Sequence, residues 1–190
     1  VEGWVRSGCP DAADRMWKIY ERMLADRITP DQATMSRLIS FLASTKKRAM
    51  VERADNLLQY MEASGVRGLR PDSLHYHNVL RGWIDVGDVA CATRTLSRCI
   101  EAFIRDKNLG AKPYPGDMDI IVRGWHKRNE LEKATALFNK MVELHEANHL
   151  PEGPDVVTCK SLHQAWWRSK HPEKRANLAF LRSRIDAFGA

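Results

Sequence analysis

The sequence predicts an all-α protein, a right-handed α-solenoid of stacked antiparallel helical hairpins, on three observations. A Pro-Asp mark recurs at an even interval, large apolar residues return in phase with it, and helical apolar stripes fill the space between. The marks read "TPDQATMSRLI", "RPDSLHYHNVL", "KPYPGDMDIIV" and "GPDVVTCKSLH", with Tyr114 in the acidic place of the third. Their second residues, Asp31, Asp72, Tyr114 and Asp155, are separated by steps of 41, 42 and 41. A fixed period of this kind belongs to repeat architectures, in which each unit buries its apolar face against the next.

Each period holds two helices. The first opens at the mark, because Asp31, Asp72 and Asp155, or the residue after each, can accept from the unpaired amides of a first helical turn. Pro30, Pro71, Pro113 and Pro154 end whatever precedes by removing an amide and clashing backwards. Eleven residues beyond the marks stand Leu42, Trp83, Trp125 and Trp166, and Trp4 extends the series backwards; their phase assigns them to the core. The second helix carries a stripe at i, i+3, i+4, i+7. It runs through Met16, Ile19, Tyr20 and Met23, then Ala54, Leu57, Leu58 and Met61, then more weakly Ala92, Thr95, Leu96 and Cys99. It returns in Ala134, Leu137, Phe138 and Met141, and "RANLAF" closes the chain. In "NELE", Glu132 lies three residues beyond Asn129, the arrangement of a capping box at the start of a second helix. No alternating stretch competes for strand. The layout is one helical-repeat domain over 1–190, or a fragment of a longer array, with repeats near 1–31 (partial), 32–72, 73–114, 115–155 and 156–190.

Composition narrows the function classes. The chain is 44% hydrophobic and 28% charged, too apolar for a disordered segment. No apolar run approaches the roughly 20 residues of a membrane-spanning helix, so no membrane partner is expected, and nothing at the N-terminus resembles a secretory signal. The sequence starts at Val1 rather than Met, which leaves room for a preceding targeting segment. Cys9, Cys91, Cys99 and Cys159 form no CxxC pair, and Cys91 and Cys99 on one helix are too far apart for a disulfide, which fits a reducing interior. A net charge of +6 is compatible with a polyanionic partner without requiring one.

The stretch "HEANH", His145 to His149, spells the two-histidine, one-glutamate helix of zinc peptidases. The stripe offers a plainer origin. Four residues beyond Met141 comes His145, and four more give His149, so the pentad reads as the tail of a lengthened second helix stopped by Pro151. Where the extended zinc motif needs glycine the chain has Glu152. No nucleophile–base pair, acidic cluster or phosphate loop is visible, so neither catalysis nor a cofactor or metal is expected.

The Pro-Asp turn, the Val-Val-Thr opening of "PDVVTCKSLHQAW" and the "KATALFNKM" stripe resemble the pentatricopeptide repeat over essentially the whole chain. The departure is length, because these steps exceed a repeat of about 35 residues; the surplus is expected in the second helices or their exit loops. The resemblance implies single-stranded RNA along the first helices, one base per repeat read by a few side chains. It assigns the base edge to Ser36, His77, Asp119 and Lys160 together with the repeat-final Asp31, Asp72, Tyr114 and Asp155. Ala33, Leu74, Gly116 and Val157 would flank the base. The pair Ser36 with Asp72 obeys the family's recognition pattern and favours guanine; His77 with Tyr114 and Asp119 with Asp155 depart from it. Late in the first helices Arg6, Lys127 and Arg168 are placed to meet phosphates, where two other repeats have Ser44 and Asp85. Trp167, out of phase with the core series, is the better candidate for an exposed contact. The family's usual setting is a mitochondrion or plastid. Two roles follow: an RNA-binding module in organellar RNA metabolism or translation, or a scaffold subunit of an organellar ribosome or RNA-processing complex, held by protein contacts.

Overall fold

The computed structural model describes residues 12–150 and 153–187, among which there are nine α-helices, two single 3-10 turns and no strand. In chain order the helices are α1 (Ala12–Ala25), α2 (Gln32–Ser44), α3 (Arg48–Ala63), α4 (Ser73–Asp85), α5 (Val89–Ile104), α6 (Pro115–Lys127), α7 (Leu131–Glu146), α8 (Val156–Arg168) and α9 (Lys174–Ala187). They group into two compact units that divide between Pro113 and Tyr114. In the first, α2 pairs with α3 and α4 with α5, and the hairpins stack through α2 against α4 and α3 against α4, with α1 against α2. In the second, α6 pairs with α7 and α8 with α9, stacked through α6 against α8 and α7 against α8. The stacked helical hairpins expected from the period are present.

The first helices open where the marks predict. Asp31 Oδ1 accepts from the Thr34 amide at 2.8 Å and Asp155 Oδ1 from the Thr158 amide at 2.7 Å. Asp72 caps α4 through the Leu74 and His75 amides. Tyr114 makes no side-chain cap bond, and Pro115, which needs no amide partner, starts α6 instead. The second-helix stripes are buried: Ala54, Leu57, Leu58 and Met61 on α3, Ala92, Thr95, Leu96 and Cys99 on α5, and Ala134, Phe138 and Met141 on α7. Met23 and Leu137 are only half-buried, and Ile19 of the first stripe is 45% exposed.

Trp83, Trp125 and Trp166 are core, as their phase predicts. Each buried indole N–H that is accounted for reaches a neighbouring helix: Trp83 Nε1 donates to Asp55 Oδ2 on α3 at 3.0 Å, and Trp166 Nε1 to Thr135 Oγ1 on α7 at 2.8 Å. Asp55 also accepts from Arg98 of α5, whose Nε lies 3.5 Å from Glu62 Oε1. Close approach is built in at Gly82 on α4, where a Cβ would lie 2.9 Å from the Ala43 carbonyl oxygen of α2. Cys91, Cys99 and Cys159 are buried thiols, and burial pushes that of Cys159 up to about 11.

Two local expectations are corrected. Asn129 does not cap α7; it takes φ 60°, its amide donates to the His126 carbonyl, and Glu130 precedes the helix without a side-chain cap bond. Asparagine tolerates the left-handed conformation, so in this short turn it closes α6 rather than opening α7. His149 is not in the helix that carries His145. The helix ends at Glu146, Asn148 turns left-handed at φ 56°, and the His149 amide folds back onto the Leu144 carbonyl. The two imidazoles therefore do not stand one turn apart, and His145 Nδ1 is 3.0 Å from the Leu150 carbonyl. Among the described residues no group of three His, Cys, Asp or Glu side chains is arranged to hold a metal, and no helix is long and apolar enough to cross a membrane. Trp4, Arg6 and Cys9 lie outside the described residues.

Candidate nucleic-acid interface

The residues assigned to base contact start from the N-terminal ends of the first helices. Ala33, Leu74, Gly116 and Val157 occupy the second place of α2, α4, α6 and α8, and all four are exposed. For Leu74 and Val157 that means 51% and 56% exposure of apolar side chains on well-formed helices. Around Gly116 there is open space, with nothing within 4 Å of where a Cβ would stand.

In the first unit Ser36 and Asp72, which the resemblance pairs, come together through a third residue. Ser36, one turn into α2, and Asp72, the cap of α4, are both in contact with His75. Nε2 of the ring is 2.8 Å from Ser36 Oγ and Nδ1 is 2.6 Å from Asp72 Oδ1. The ring is 2% exposed, whereas the Asp72 side chain is 45% exposed. Ser36 Oγ is also 2.7 Å from the carbonyl of Gln32 in its own helix. Serine, histidine and aspartate in series resemble a hydrolase triad, yet here the hydroxyl is turned to its own helix and the ring serves as half of a capping box. His75 is the member of this cluster that sequence reasoning did not single out. The signal was present in the marks: the third residue past each is Thr34, His75, Asp117 and Thr158, so His75 breaks a position otherwise held by smaller side chains.

The remaining expected contacts are placed less favourably. Asp119 on α6 is 7% exposed, and its Oδ2 pairs with Arg123 at 2.6 Å, so the carboxylate is turned along its own helix. Asp155 is engaged in capping α8. Lys160 is exposed, His77 half-buried and Tyr114 43% exposed. Asp31 caps α2, and the Thr34 hydrogen bonds hold its carboxyl below the usual carboxylate range.

Two of the three cations assigned to phosphate are described. Lys127 ends α6 and Arg168 ends α8, both exposed, in the second unit. Next to Arg168, Trp167 is 66% exposed. Lys174 Nζ sits 5.4 Å from the centre of the Trp167 ring and donates to the backbone carbonyls of Trp167 and Ser169, which holds a cation against one face of the indole. An exposed indole with cations beside it is the local chemistry that stacks nucleobases.

By sequence, no family model and no curated protein matches the chain. Solved structures do. The pentatricopeptide repeat protein PPR10 from maize superposes with a TM-score of 0.60 at 20% identity, over 87% of this chain and 22% of that one. PPR10 in complex with an 18-nt psaJ RNA element gives 0.53 at 19% identity, over 97% of this chain and 24% of that one. The chain thus spans less than a quarter of the length of the structures it matches. At such identities the likeness speaks for architecture, and the chain has the fold of a pentatricopeptide-repeat protein.

Proposed function

We propose that the chain is a single-stranded-RNA-binding module, without chemistry of its own, that serves RNA metabolism or translation in a mitochondrion or plastid. The carrying observation is the joining of Ser36 and Asp72, from neighbouring hairpins, into one hydrogen-bonded cluster beside the exposed Leu74. The exposed cations Lys127 and Arg168 supply phosphate contacts, Trp167 a stacking surface, and the RNA complex of PPR10 is a precedent on the same fold. The double substitution Lys127→Glu, Arg168→Glu is expected to weaken binding of labelled single-stranded RNA by about tenfold or more at low salt, measured by fluorescence anisotropy. Unchanged affinity in a variant that melts like the parent removes these two residues from the interface.

A second reading, a scaffold subunit held by ribosomal or RNA-processing proteins, is favoured by a different observation. Ile19 and Leu24 on α1, Ile28 just after it, and Tyr60 on α3 are each more than 40% exposed. If the purified chain binds no RNA but co-purifies with a stoichiometric protein neighbour, the scaffold reading replaces the first.

A further inference from the structure

Between the second helices of the first unit lies a groove that no residue assigned to RNA lines. Both α3 and α5 pack chiefly on α4, and the space left between them has a volume of about 760 Å³. Asp55 and Glu62 of α3 line one wall, Arg98 and Glu101 of α5 the other, and Tyr76 of α4, itself 1% exposed, closes it at depth. A second cavity of about 410 Å³ continues the groove, again lined by Glu62 and Tyr76.

Most of the charge here is matched within the chain. Arg98 reaches across the groove to Asp55, and Arg105 pairs with Asp106 at 3.1 Å and with Glu101 at 3.9 Å. Glu62 is the carboxylate left over: Arg98 Nε stops 3.5 Å from Glu62 Oε1, and both atoms are buried without a hydrogen-bond partner. The Tyr76 hydroxyl is buried without one too. Buried polar atoms are ordinarily hydrogen-bonded, so an unsatisfied carboxylate oxygen and phenol on one cavity mark a place for an incoming donor. Burial raises the Glu62 carboxyl above its ordinary range, as expected of a charge only partly compensated in the free protein. Arg94 on the rim is exposed and keeps its water, so the charge in need of a counterpart is negative. A guanidinium suits it. It is planar, has five N–H donors with which to serve the carboxylate and the phenol oxygen together, and gives up its water more readily than an ammonium. The groove is open along the surface and rimmed by exposed groups of both signs, Arg94 and Asp106, which suits a polypeptide crossing it with one side chain sent inward.

We propose that the groove between α3 and α5 is a docking site for a protein partner, which inserts one arginine side chain to pair with Glu62 and hydrogen-bond Tyr76. The site stands independently of RNA binding. The test titrates the whole chain with a blocked glycine–serine peptide carrying one central arginine, with the same peptide carrying citrulline, and with free arginine, each followed by amide NMR shifts. The arginine peptide is expected to shift the signals of Glu62, Tyr76 and Arg98 and to bind about fivefold or more tightly than the citrulline peptide, which keeps the shape without the charge. Glu62→Gln should bring the two peptides to equal affinity, and Tyr76→Phe should weaken the arginine peptide severalfold. Glu52→Gln, which removes an exposed carboxylate of α3 paired with Arg48, should leave the arginine affinity as it is. The peptide comparison is read on the parent and so holds even if a variant fails to fold. Equal binding of the two peptides, no binding of either, shifts confined to residues outside the groove, or an undiminished arginine preference in a folded Glu62→Gln chain overturns the site. Tighter binding of free arginine than of the blocked peptide overturns the protein partner in favour of a small molecule.

Discussion

Glu62 and Asp88, both tied to arginines of neighbouring elements in the first unit, respond to pH in opposite senses. Burial raises the Glu62 carboxyl above its ordinary value of 4.5, with the pull of Arg98 second and too weak to reverse it. Burial likewise pushes up Tyr76, whose hydroxyl is in the same cluster. Asp88 is held below 3.8, first by the Cys91 amide it caps and then by Arg48, whose Nη2 is 2.7 Å away. Stability linked to Glu62 is full below pH 4.5 and is lost as pH rises through its raised value; that linked to Asp88 is present above pH 3.8 and is lost as pH falls. Glu62→Gln should therefore raise the melting temperature at neutral pH and flatten the decline above pH 4.5. A lowered melting temperature at pH 7 would mean the Arg98 attraction outweighs the burial cost. None of this was legible in sequence, where Glu62 is one more acid on an exposed-looking face.

At the scale of the element, two glycines on first helices have opposite roles. A Cβ at Gly82 would press on the Ala43 carbonyl oxygen at 2.9 Å, and backbone cannot step aside. Overpacking of this kind costs about 1–3 kcal/mol, more than the gain of up to about 1 kcal/mol in helix propensity. Gly82→Ala is expected to lower the melting temperature, whereas Gly116→Ala, with open space around it, should raise it by the propensity alone. If both alanines stabilise, α2 and α4 do not approach as closely as described. The Pro-Asp caps were legible because a carboxylate and the amides it serves sit within three residues of each other. Asn129 was misread because asparagine serves both a helix start and a left-handed helix end; which one applies depends on how tightly α6 must turn into α7. His149 followed the same pattern, since apolar spacing marks a helix face and not the residue at which the chain turns off it.

Over the whole molecule, a net charge of +6 predicts that RNA affinity will fall with salt. For about three phosphate contacts on single-stranded RNA, affinity should drop roughly tenfold between 50 and 200 mM monovalent salt. A flat salt response would place affinity in stacking and base edges and leave Lys127 and Arg168 as ordinary helix-end cations. Helix number, hairpin pairing and the core tryptophans were readable without coordinates, because periodicity and capping act over a few residues and a repeated period forces each stripe onto its neighbour. Contacts that join hairpins were not readable. Ser36 to His75, Arg48 to Asp88, Arg53 to Asp14 and Arg98 to Asp55 link residues 39 to 43 apart in the chain. Whether such side chains meet depends on the height and rotation at which one hairpin settles on the next, a quantity set by the packed interface as a whole. For that reason the pair Ser36 and Asp72 could be named from the chain, while the imidazole that bridges it emerged with the stacking of α4 on α2.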